Sequence, residues 1–256
     1  MNEELIKKAM EIPSLDNYQN ILFIGPHPDD IEIGAGGFSS KCIKNNKKVS
    51  YLICTNGGSG TLDLNVKSTD LAEIRKNEAI EAASIIGVNK ENIYFLPFDD
   101  GGDYTVEEMT TEIAKIIIKI RPDLIVAPDP LMENETHPDH LKVGEAARRS
   151  LVIACYPNAS RTRNIEVNEL GPRNITLAFY YTDRCNSVVS ISEENFMLQE
   201  KAIRAHKSQI DPSFEYILMY LKIRSNKFGL VNNTKYGEGY FVLSPLHQHC
   251  FMEKLY

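Results

Sequence analysis

The chain has no apolar run near the ~20 residues that a membrane span needs, no basic run longer than a pair, and no CxxC. Each absence removes a class of function. Without a span there is no integral membrane protein of the helical kind. A formal net charge of −7 with no Lys/Arg cluster argues against nucleic acid, whose phosphates need a basic surface. The five cysteines, at 42, 54, 155, 185 and 250, are odd in number and show no metal-ligand spacing, so neither a disulfide framework nor a thiolate zinc site is expected. Cys42 and Cys54 lie among apolar neighbours and read as small core residues. Met-Asn-Glu-Glu opens the chain with no apolar segment behind it, so no secretory signal is expected and a reducing cytoplasm is the expected location. There is no internal repeat and no low-complexity linker.

What is present is a core. Hydrophobic residues make up 43% of 256, enough for one large domain over 1–256, with a core of about 18–155 and a C-terminal extension of about 156–256. Residues 2–12 read as a short amphipathic helix. Strand-like and helix-like runs then alternate: strand Ile21–Gly25, helix Gly34–Asn46, strand Val49–Cys54, the Gly-rich loop Thr55–Thr61, helix Asp70–Ile86 stopped by Gly87, strand Ile93–Leu96, helix Val106–Ile120, strand Leu124–Ala127. Thr136 is placed to cap a helix carrying His140 through Ala154. Asn158–Asn174 reads as a long loop, Leu177–Tyr181 and Val188–Ile191 as strands, Glu193–Lys207 and Phe214–Lys227 as helices. Near-continuous apolar strands alternating with helices predict an α/β fold, a parallel sheet with helices on both faces. Such sheets bind ligands beyond the carboxyl ends of their strands.

Two clusters lie at such ends. Pro26-His27-Pro28-Asp29-Asp30-Ile31-Glu32 follows the first strand, and His137-Pro138-Asp139-His140 follows Leu124–Ala127 by a short loop. Only six histidines exist, and three fall in these clusters. They supply two imidazoles and a carboxylate for a divalent metal, with spare carboxylates and a third imidazole for proton transfer, the inventory of a mononuclear zinc hydrolase. The bland alternative is a capped turn with surface histidines. Gly34-Ala35-Gly36-Gly37 is no dinucleotide fingerprint, because the turn itself holds the His/Asp cluster. These glycines are expected to let a helix pack closely on the sheet. Gly57, Gly58 and Gly60 are expected either to let backbone approach a substrate or to form a mobile turn.

At these residues the sequence resembles the LmbE/PIG-L family of zinc-dependent N-deacetylases. The family's H-P-D-D-E appears as His27 to Glu32 with the acid one place on, and its H-x-D-H as His137 to His140. The likeness to the diacetylchitobiose deacetylase branch is carried by Ile74-Arg75-Lys76, Ala127-Pro128-Asp129-Pro130, Ala205-His206-Lys207-Ser208-Gln209 and Tyr236-Gly237-Glu238-Gly239-Tyr240. It runs from about residue 20 to the C-terminus. The resemblance implies a Rossmann-like (LmbE-like) core, mostly parallel, with C-terminal strands and helices packed on the same domain. It implies one Zn2+ per chain held by His27, Asp30 and His140. Asp29 becomes the general base, His137 the group that stabilises an oxyanion or protonates the leaving amine, and Asp139 its orienting partner. Arg75, Asp100 and His249 become sugar contacts, His249 from a neighbouring subunit of a homo-oligomer. The implied reaction removes acetyl from an N-acetylglucosamine-type sugar, N-acetylglucosamine or diacetylchitobiose. The alternatives are another N-acyl glucosaminide (a thiol precursor, a lipid-linked sugar or an antibiotic intermediate) or a metal-binding protein without turnover.

Several of these residues also have plainer readings. Arg75, among Glu73, Lys76 and Glu78, could lie on a solvated helix face. Asp100 could shape a turn. Asp129 could line the site or start a turn. His206 reads as packed or capping, and His247 and His249 as surface residues. The aromatic tail Gly239–Tyr256 is expected either to pack on its own sheet or to be buried against another subunit.

Overall fold

The computed structural model describes residues 11–169, 171–210 and 214–248. The helix expected over 2–12 falls outside them up to residue 10, and residues 11 and 12 are not helical. His249 also lies outside.

Seven strands form one sheet in the order β3-β2-β1-β4-β5-β7-β6. They are β1 (Asn20–Gly25), β2 (Lys48–Thr55), β3 (Ile93–Phe98), β4 (Leu124–Pro128), β5 (Thr176–Tyr180), β6 (Ser187–Ile191) and β7 (Tyr236–Leu243). The pairings from β3 through β5 are parallel, and β7 runs antiparallel to both its neighbours. Strand β1 shows why the sheet is covered on both sides. Ile21 and Phe23 enter one core, Leu22 and Ile24 the other, because alternate side chains leave a strand on opposite faces. Each such burial contributes roughly 1.5–3 kcal/mol.

The first core is closed by α1 (Asp30–Lys44), α2 (Ser68–Ile86) and α6 (Glu193–Ile203), the second by α3 (Val106–Ile120) and α4 (Pro138–Cys155). Helix α3 opens on a capping box between Thr105 and Glu108. Helix α2 ends at Gly87, whose φ of 101° suits glycine. Helix α5 (Pro157–Arg161) interrupts the stretch expected to be a loop, and α7 (Phe214–Val231) runs past its expected end. Helix α6 stops at Ile203, short of the expected Lys207, and a 3-10 turn follows at Lys207–Gln209. No helix among the described residues is long and apolar enough to cross a membrane.

Two differences from the expected elements bear on the site. Helix α1 begins at Asp30 rather than Gly34, so the second acid of the motif sits in its first turn, where the helix dipole favours a carboxylate. Helix α4 is capped by His137 rather than Thr136: the His137 ring accepts from the amide of Asp139, and Pro138 takes the first helical position. Gly34 packs as expected. A Cβ there would stand 2.3 Å from the Tyr180 ring, so only glycine lets α1 lie this close to β5. The described part of the tail packs on its own sheet, as β7 between β5 and β6.

Candidate metal centre and active site

Strands β1 and β4 are parallel neighbours, with Phe23 opposite Val126. From β1 the chain moves outward through β2 to β3, then crosses to β4 on the other side. The order reverses between them, and open α/β sheets leave a crevice at such a point. One loop, Pro26–Asp29, leads from β1 into α1. The other, 129–137, leads from β4 into α4. Motifs more than a hundred residues apart therefore meet.

His27 Nδ1 lies 3.0 Å from Asp30 Oδ2, and His140 Nε2 lies 3.4 Å from Asp30 Oδ1. One ligand atom from each of His27, Asp30 and His140 lies within 4.8 Å of the others. A second set shares His27 and adds Asp100, His137 and Asp139. His27 presents its two nitrogens to the two sets: Nε2 stands 3.2 Å from Asp100 Oδ1 and 3.2 Å from Asp139 Oδ2. The His137 ring packs edge-on against His27 at 4.5 Å and stacks on His140 at 5.0 Å.

Charge follows from this crowding. Burial opposes a charge on His27, but bonds to Asp100, Asp139 and Asp30 outweigh it and push its pKa up to about 12. His140 is likewise pushed up to about 9, burial being outweighed by Asp30 and Glu135. Asp30 is held well below the carboxylate range: His140 and His27 overcome its desolvation. Asp29 goes the other way. Burial raises it to about 6, with Arg75 opposing and Asp30 adding to the rise. His137 is lowered by burial and by its neighbours His27 and His140. Because its Nδ1 accepts from Asp139, a neutral His137 carries its proton on Nε2.

The remaining expected residues fall as follows. Asp100 is inside the cluster, its Oδ2 accepting from the amide of Ser59 at 3.1 Å. Arg75 is only 4% exposed, which rules out the solvated face. It donates to the carbonyls of Gly57 and Pro28 and to Asp29 Oδ2 at 3.1 Å. Gly57 (φ +66°) and Gly60 are where the Gly-rich loop closes over that guanidinium: a Cβ on either would collide with it. Asp139 is fully buried, and its carboxylate bonds to Gly101 N at 2.8 Å, Tyr104 OH at 2.7 Å and the His27 ring. Its carboxylate orients His27 by these bonds, and its link to His137, the partner expected for it, runs through its backbone N–H, which donates to His137 Nδ1 at 3.3 Å. His206 is packed, with Nε2 3.6 Å from Glu32 of α1. His247 bonds Ser244 in the turn after β7.

Four residues went unread in the sequence. Glu135 holds His140 Nδ1 at 2.8 Å. Tyr104 holds Asp139, and Tyr181 stacks on His140 at 5.8 Å with its hydroxyl 3.3 Å from Asp30 Oδ1. Arg184 clamps Asp129 at the foot of the second loop, at 2.6 and 2.8 Å. Only Glu135 lies close enough to a motif for an acid two places before His137 to be a usable signal.

The donor set suits a cation. Three imidazoles (His27, His137 and His140) and four carboxylates (Asp30, Asp100, Asp139 and Glu135) converge here, an excess of acidic groups that a cation suits. The first set offers three ligand atoms and the second four, and three with an open position is the arrangement of a catalytic centre. The residues at this end of the sheet can hold a metal ion.

Comparison with known proteins agrees with that geometry. A model of the PIG-L family, described as GlcNAc-PI de-N-acetylase, matches residues 22–151. A diacetylchitobiose deacetylase of Thermococcus kodakarensis is 34% identical over 226 residues, which span 88% of this chain and 83% of that protein. The structure of N,N'-diacetylchitobiose deacetylase from Pyrococcus horikoshii, complexed with its inhibitor MPG, superposes with a TM-score of 0.86 at 33% identity, covering 98% of this chain and 96% of the other. GalB, the 4-carboxy-2-hydroxymuconate hydratase of Pseudomonas putida, reaches a TM-score of 0.73 at 17% identity, with 93% and 100% covered, which shows a shared fold.

Proposed function

This chain belongs to the PIG-L family, and on that premise we propose that it is a zinc-dependent hydrolase removing the N-acetyl group from an N-acetylglucosamine-type sugar, diacetylchitobiose or N-acetylglucosamine. The products are the free amino sugar and acetate. The observation that carries this reading is the meeting of His27, Asp30 and His140 within 4.8 Å, with Asp29 and His137 beside them.

His27, Asp30 and His140 would hold one zinc ion per chain, which would lower the pKa of a bound water to about 7 and polarise the acetyl carbonyl. Asp29 takes the water's proton. A carboxylate raised to about 6 is suited to that work near neutral pH, since it is ionised yet basic. Arg75 keeps it in place through the 3.1 Å bond. His137, neutral and carrying its proton on Nε2, donates a hydrogen bond to the oxygen that gains charge, and Asp29 passes the proton it took from the water to the departing nitrogen. Asp139 keeps the His27 ring oriented. Asp100 and Arg75 meet the sugar's polar groups, Arg75 at the edge of its largely buried guanidinium.

The reading extends to assembly. Helix α7 exposes Tyr216, Met219, Tyr220, Ile223 and Leu230, more apolar surface than a lone subunit usually leaves in water. This supports a closed homo-oligomer in which His249 lines an active site across an interface. Light scattering reads the mass directly, and a fully active monomer would refute the shared site.

The activity is tested by incubating the zinc-loaded protein with N-acetylglucosamine, its β-1,4 dimer and longer oligomers and measuring free acetate. Acetate release that stops with a chelator is expected. A protein that holds about one zinc per chain and yet releases acetate from none of these sugars sinks the reading.

A further inference from the structure

One acid in the site has no part in the chemistry above. Glu135 stands outside both motifs, on the loop ahead of α4. Its Oε2 lies 2.8 Å from Nδ1 of His140, and its Oε1 accepts from the backbone N–H of His137, also at 2.8 Å. One carboxylate thus grips the ring of one histidine and the backbone of the next.

The His140 ring needs such a grip. It stands in the first turn of α4 and stacks on His137 at 5.0 Å and on Tyr181 at 5.8 Å, their planes at 20° and 21° to its own. Stacking fixes the plane of a ring but not its flip. Turning the imidazole by 180° about its bond to Cβ keeps both stacks and exchanges a nitrogen for a carbon. A hydrogen bond to Nδ1 removes that degeneracy and leaves Nε2 as the nitrogen that faces the cluster, 3.4 Å from Asp30, and that is free to ligate a metal in the neutral ring. His27 is treated the same way from its other end: its Nε2 is backed by Asp139 and Asp100 while Nδ1 faces Asp30. Each imidazole therefore has a carboxylate behind the nitrogen that points out of the cluster. Asp139 lies within the second motif, and Glu135 does not.

We infer that Glu135 is a positioning residue for metal uptake: its carboxylate locks the flip and tautomer of His140 and pins the backbone of His137. The inference rests on the reading of His140 as a metal ligand.

Zinc affinity of the metal-free protein, measured in competition with a chromophoric chelator, tests it without recourse to turnover. Glu135→Ala is expected to raise the zinc Kd by about 10–100-fold, the range for removing an outer-shell partner. Glu135→Gln keeps an acceptor oxygen at the same reach, and its affinity should fall between alanine and wild type. The thermal midpoint in chelator should hardly move, because a merely structural role would lower it and leave the affinity of the folded protein alone. Wild-type affinity in both variants overturns the inference, and so does a glutamine variant no tighter than alanine. Should the alanine variant fail to fold, wild-type affinity in Glu135→Gln suffices to overturn it. His140→Ala separates the two levels. If it binds zinc as tightly as wild type, the ligand reading itself falls. If it loses zinc while the Glu135 variants keep it, only the present inference falls.

Discussion

Two loops build the site, and they are held in opposite ways. The β1–α1 loop is short and buried. His27 and Asp30 are sealed, and Asp29 adopts φ 127° and ψ −27°, a conformation that costs a non-glycine residue roughly 1–3 kcal/mol. It persists because the Arg75 guanidinium bonds both Pro28 O and Asp29 Oδ2 from beneath. The β4–α4 loop is longer and its tip is open to water, with Leu131 55% exposed. It is fastened at its ends, by Arg184 and Thr182 on the buried Asp129 and by Glu135 on His137 and His140. A catalytic loop can be made accurate by strain under a clamp or by props at its two feet. The first kind tolerates change nowhere along its length, the second tolerates it between the feet.

The largest test removes the ligand that the propped loop delivers. His140→Ala should leave a protein that folds, binds no zinc at micromolar concentration and releases no acetate, as metal analysis and an acetate assay will read. Zinc still bound at one per chain would move the centre to the other set around His27.

Next comes a pair, one residue from each loop. Asp29→Asn and His137→Ala should both keep zinc and lose turnover by roughly 10²–10⁴-fold, the usual range for acid–base groups. Near wild-type turnover in Asp29→Asn would remove the base from the strained loop and end the division of labour between the two.

Arg75→Lys tests the clamp alone. A lysine cannot reproduce three directed bonds from one planar group, so Asp29 should shift and kcat fall by about 10²-fold, as small misplacements of catalytic groups do. KM should change less than kcat. If KM carries the whole loss, Arg75 serves the sugar and the clamp is incidental.

The smallest effect belongs to the exposed tip. Leu131→Ala should change stability by no more than about 0.5 kcal/mol, as surface substitutions do, and leave the acetate rate near wild type. A large loss of either in denaturant titration or assay would mean that the propped loop is rigid throughout.

The sequence by itself determined the periodic elements, the α/β class and the two His/Asp motifs. It could do so because these are local properties. A strand buried on both faces is a run of apolar residues, and each motif, His27 to Glu32 and His137 to His140, is a short segment of chain that follows a strand. The start of α1 at Asp30 was misread for the same local reason: a polar motif looks like loop until the helix dipole and the cap are counted. What only the tertiary structure decided is which groups stand behind the motifs. Arg75 on α2, Asp100 and Tyr104 after β3, and Tyr181 after β5 reach the centre because the strand order reverses between β1 and β4, a consequence of how the whole chain crosses the sheet. Burial decided their chemistry in turn. Arg75, flanked in sequence by charged neighbours as a surface arginine would be, became a clamp once the Gly57–Gly60 loop closed over it, since desolvation and partners at a distance are properties of the packed molecule and not of any segment of its sequence.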